Sequence, residues 1–116
     1  MPAPLVAPDD EQLAEWGLEA QVGDEPWVRS VQLPTGDGSA LTITWDEVAA
    51  SAYVRWTTST GTVAELTREA IDTITIERRD DGLVLTVAMM GDGLSGTLTV
   101  AVSPTGVQFQ DTLLRA

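Results

Sequence analysis

The chain has 116 residues, 43% of them apolar, and a formal charge of −12 from 18 acidic and six basic side chains. That apolar content supports one self-standing domain, while the charge repels nucleic-acid phosphates and anionic lipid headgroups, so neither direct nucleic-acid binding nor membrane binding is expected. Cys, His and Lys are all absent, which excludes disulfides, thiolate and imidazole chemistry, zinc-thiolate sites and Schiff bases; no cofactor and no metal is expected.

Residues 1–8 carry three prolines and no period, and read as a flexible extended arm ahead of a single domain at 9–116. The arm has neither the basic n-region nor the long apolar h-region of a secretory signal. No run approaches the roughly 18 apolar residues of a membrane span. The expectation is a soluble cytoplasmic protein. With arginine as its sole cation and many Ala, Val, Gly and Thr, the composition points to a GC-rich bacterial or phage source.

Asp9 opens the one helix the pattern supports. As N-cap it places Gln12 at N3, an Asp-headed capping box, and Asp10 and Glu11 fall in the first turn, where the macrodipole favours anions. Leu13, Trp16, Gly17 and Ala20 recur at i, i+3, i+4 and i+7. The stripe predicts a helix ending before Gly23, although Gly17 inside it would cost about 1 kcal/mol against alanine.

Strand signals follow. Trp27, Arg29, Val31 and Leu33 share one face of a first strand. Pro34 to Ser39 is dense turn signal, and Leu41, Ile43 and Trp45 then alternate with Thr42, Thr44 and Asp46. Residues 46–50 read as a bend or bulge, with a helix start as the competing reading, before a strand through about Thr58. Thr62 to Glu69 reads as a further strand, with a short helix over 64–70 as its competitor.

The strongest pattern lies at 71–113. Four alternating segments, Ile71–Arg78, Leu83–Met90, Leu94–Val102 and Val107–Leu113, are separated by Asp80-Asp81-Gly82, Gly91-Asp92-Gly93 and Ser103-Pro104-Thr105-Gly106. Such spacing predicts hairpins in series. The fold expected is mainly β: an antiparallel meander of about eight strands forming a sandwich or a curved, barrel-like sheet, with one N-terminal amphipathic α-helix.

Catalysis would have to use carboxylates. Asp46-Glu47 beside Trp45 has the residue types of a glycosidase pair, but neighbours on a strand point to opposite faces. Asp80-Asp81 and Asp92 belong to ordinary hairpin turns. Three separate Asp/Gly turns do not make the six to eight converging oxygens that calcium requires. Gly91 to Gly96 matches G-x-G-x-x-G in letters, yet Thr97 to Val102 is strand sequence where a dinucleotide site needs a helix. No catalytic, cofactor-binding or metal-binding residue is assigned, and no motif identifies a family.

Two features point to partner binding. Asp9, Asp10, Glu11, Glu15, Glu19, Asp24 and Glu25 put seven carboxylates into residues 9–25 with no basic residue among them, a field of one sign suited to capturing a basic protein. Tyr53 and Arg55, on the strand face opposite Val54, are of types enriched at binding hot spots. Trp45 and Trp56 fall on apolar faces and read as core, while Trp27 fits either rim or core.

The expected function is a non-enzymatic, acidic protein-binding module. Its concrete form is a small inhibitor or immunity-type protein that neutralises a basic partner such as a toxin. One alternative is a phage or secretion-apparatus assembly subunit, in which exposed strand edges make a homo-oligomer. Another is a carrier of a small apolar ligand, its pocket lined by Leu85, Val87, Met89, Leu98, Val100 and Phe109.

Overall fold

The computed structural model describes residues 5–35, 38–79, 82–91, 94–103 and 106–115. Residues 1–4 of the arm and the turn tips at 36–37, 80–81, 92–93 and 104–105 lie outside the described residues. In chain order the elements are α1 (Asp10–Glu15), β1 (Ala20–Val22), β2 (Val28–Pro34), β3 (Ala40–Asp46), β4 (Ser51–Thr58), β5 (Gly61–Arg68), β6 (Ile71–Arg79), β7 (Gly82–Gly91), β8 (Leu94–Ser103) and β9 (Gly106–Arg115). Strands β1 to β5 form one antiparallel meander and β6 to β9 a second, and the two sheets do not close into a barrel.

Period-two alternation accounts for the layers. Along β3 the residues switch between half-buried and buried at every step, so Leu41, Ile43 and Trp45 turn inward while Thr42 and Thr44 turn outward. The inward residues of both sheets, among them Leu33, Leu41, Ile43 and Val54 facing Ile74, Leu85, Val87, Leu98 and Val100, belong to one hydrophobic core. Leu85, Val87, Leu98 and Val100 are fully buried there, with Met89 and Phe109 packed against them. The residues that a ligand pocket would need are filling the core instead.

Two contacts tie the layers together. Ile71, which opens β6, donates to the Ala50 carbonyl just ahead of β4 at 3.0 Å. Phe109 of β9 meets Trp56, near the other end of β4, with ring centroids 5.7 Å apart.

The ambiguous stretches resolve as strand and turn. Residues 47–50 are a turn, pinned because the Asp46 Oδ1 accepts the Val48 and Ala49 N–H groups at 2.9 and 2.8 Å. Residues 61–68 are strand, so neither competing helix forms. Nine strands are present among the described residues, the addition to the expected eight being the three-residue β1.

The capping box forms as expected: Asp9 Oδ1 accepts the Gln12 N–H at 2.8 Å, and Gln12 Oε1 accepts the Asp9 N–H at 3.0 Å. The helix is shorter than the stripe predicted. It ends at Glu15, because Gly17 takes a left-handed φ of 72°. Its N–H reaches the Ala14 carbonyl at 3.1 Å, and the Leu18 N–H reaches Leu13 at 2.9 Å. That pair of bonds is a Schellman motif, closed by the buried Leu13 and Leu18. Gly17 terminates the helix, and Ala20 belongs to β1.

The described part of the arm, Leu5 to Pro8, lies on the second sheet. Val6 forms a parallel bridge to Thr73, donating to the Asp72 carbonyl at 3.0 Å and accepting from Ile74 N–H at 2.8 Å, and Leu5 is buried. This segment covers the outer edge of β6.

Candidate partner-binding surfaces

The nine residues singled out by sequence fall into three places. Asp9 to Glu15 stay with the helix. Asp9 is committed to the cap, and Asp10 pairs with Arg29 Nη1 of β2 at 2.8 Å. The acidic stretch is thus of one sign along the chain but not in space, since Arg29 enters it from another element. Glu11 and Glu15 are exposed one helical turn apart, with no ion pair among the described residues.

The second place is the outer face of the five-stranded sheet, where Glu19 stands at the β1 edge and Tyr53 and Arg55 stand on β4. Register aligns Gln21, Ser30, Thr44, Tyr53 and Thr67 in one row and Gln32, Thr42, Arg55 and Glu65 in the next. Glu19, Gln21, Ser30, Gln32 and Thr42 line an open groove of about 470 Å³. Beside it Arg55 is held at both ends, Nε lying 3.6 Å from Glu65 Oε1 and Nη2 donating to Thr62 Oγ1 at 3.1 Å. The neighbouring Glu65 carboxylate raises the Tyr53 phenol pKa above its ordinary value; desolvation adds to this and Arg55 partly offsets it. The face is polar and largely satisfied from within, with the Ser30 and Thr44 hydroxyls also bonded at 2.8 Å.

The third place is one end of the same sheet. Antiparallel connection puts the β1–β2 turn (23–27), the β3–β4 turn (47–50) and the β5–β6 link (69–70) at that end. Gly23 N–H to Val28 O at 2.9 Å closes the first turn, while Glu47 N–H to Trp27 O at 3.0 Å and Ile71 N–H to Ala50 O join neighbouring connections. Asp24 and Glu25 are here, exposed. So are residues that sequence reasoning did not assign to a site: Glu47 and Glu69, with Trp27, Val48 and Val22, which are 37%, 72% and 60% exposed. Trp27 stands outside the core. Alternation cannot find such a group, since it sits in turns drawn from three parts of the chain.

Among the described residues no group of three Asp and Glu side chains is placed to hold a metal ion, and no helix is long and apolar enough to cross a membrane. Asp46 accepts two backbone N–H groups in its turn, which gives this half of the Asp46-Glu47 pair a local structural role.

No protein-family model matches the chain, and no curated protein matches it. Its fold has a counterpart among solved structures. A chain from a contact-dependent growth inhibition toxin–immunity protein complex of Klebsiella pneumoniae 342 superposes with a TM-score of 0.77, covering 95% of this chain and 97% of its own at 9% identity. At that identity the likeness is one of fold.

Proposed function

We propose that this chain is an immunity-type inhibitor, a non-enzymatic protein that binds a cationic toxin in the cytoplasm and blocks its active site. The observation that carries the reading is the near end-to-end likeness in fold to a chain of a toxin–immunity complex. The charge of −12 agrees with it. Carboxylates can occupy a cleft built for phosphates, and a field of one sign raises the rate of encounter by one or more orders of magnitude at low salt. Inhibition of this kind needs a complementary surface and no chemistry.

The test is co-expression of the chain with each cationic toxin domain of its source organism. Growth rescue by the chain in one pairing, with a complex of defined stoichiometry whose association slows as salt is raised, is the expected result. Growth arrest by the chain expressed alone would overturn the reading, as would failure to rescue in every pairing. The assembly-subunit reading rests on β5 and β9, beyond which no further strand lies among the described residues. A mass that climbs with concentration in light scattering would favour it.

A further inference from the structure

We infer that the docking face for the cationic partner is the turn end of the five-stranded sheet, with Trp27 and Val48 at its centre; the inference takes the partner's class from the inhibitor reading above. The apolar patch comes first. Of five large apolar side chains left exposed among the described residues, Val22, Trp27 and Val48 lie at this end. Exposed apolar groups gathered at one place mark interaction surfaces, and tryptophan is the residue most enriched at binding hot spots.

The rim selects the occupant. Asp24, Glu25, Glu47 and Glu69 lie on the connections at the same sheet end, exposed and without an ion pair among the described residues. The three connecting segments contain no basic residue. The nearby cations are engaged, Arg29 with Asp10 and Arg68 with the Thr67 carbonyl. An apolar centre inside a polar, charged rim is the anatomy of a protein interface, and a carboxylate rim fits a protein with cations around an apolar contact. The platform is also set in advance, because hydrogen bonds join the turns, which lowers the ordering cost of binding.

The two other surfaces fit less well. The helix offers Glu11 and Glu15 with no exposed large apolar neighbour on α1. On the sheet face, Arg55 and Glu65 already answer one another.

The experiment titrates the isotope-labelled chain with an alternating arginine–leucine octapeptide and follows backbone amide shifts. Saturable shifts centred on residues 22–28, 47–50 and 69–71 are expected. Trp27→Ala and Val48→Ser should each weaken binding about tenfold, while the double variant Glu11→Gln/Glu15→Gln should stay within about twofold. Both test residues are exposed, so the variants should fold, which the unshifted remainder of the spectrum checks. Shifts centred on α1 or around Tyr53 and Arg55 would overturn the assignment. So would the absence of saturable binding, or wild-type affinity in both turn-end variants. The co-expression assay is separate: turn-end binding without rescue removes the inhibitor reading alone, and rescue with shifts elsewhere removes the docking face alone.

Discussion

Replacing Gly17 by alanine separates two accounts of the N-terminal segment by the sign of one number. If Gly17 lay inside a helix, alanine would stabilise the protein by about 1 kcal/mol. In the structure Gly17 is the left-handed residue that ends the helix, with φ of 72° and its N–H bonded to Ala14. An L-residue held there costs about 1–2 kcal/mol, from which the smaller unfolded-state entropy of alanine returns about 0.4–1 kcal/mol. Beyond its chain neighbours, no heavy atom lies within 4 Å of the position its Cβ would take, so no further steric term is added. The net expectation is a loss of about 1 kcal/mol. With about 2.1 cal/mol/K of unfolding entropy per residue, a chain of 116 residues turns that loss into a Tm lowered by about 4 °C. Calorimetry of wild type and variant under one buffer measures it. A Tm raised by a similar amount would refute the Schellman assignment and restore a helix running on toward Gly23.

Gly82→Ala should cost more than Gly17→Ala. A Cβ on Gly82 would overlap the Val102 carbonyl oxygen and lie 3.1 Å from Ser103 Cα, both backbone atoms of β8; a loss of about 2–3 kcal/mol is expected, and a Tm no lower than that of Gly17→Ala would refute it. Leu85→Ala, at a fully buried core position, should lose about 2–5 kcal/mol, read as a lower urea midpoint at unchanged m-value. Tyr53 should titrate above the usual phenol value of about 10, followed by ultraviolet absorbance, and Glu65→Gln should bring it back toward that value. Because the folded form holds this proton more tightly, its contribution to stability is complete below the unfolded pKa and disappears as pH rises through the folded one.

Much of the fold could be read from alternation. The four segments at 71–113 and the strands carrying Ile43, Val54 and Leu66 each show a period of two that survives into the structure, because one face of every strand meets a single core. The helix end could not be read the same way. Ala20 happens to extend the helical stripe, whereas a positive φ at Gly17 leaves no trace in hydropathy. Strand β1 escaped because three residues at a sheet edge, two of them exposed, hold too little alternation to register. For the candidate surfaces the limit is different. Counting carboxylates along residues 9–25 cannot reveal Arg29, which pairs with Asp10 across 19 positions, nor that Trp27 and Glu47 are neighbours through a backbone hydrogen bond.

The bridge between Val6 and Thr73 also bears on the order of folding. Both sheets are meanders, so all their strand pairs join consecutive segments and can close soon after each is made. Val6 must wait for a partner 67 positions later in the chain, which at about 5–20 residues per second of synthesis means several seconds. The arm is therefore seated only after β1 to β5 have been made, a latch that waits on β6.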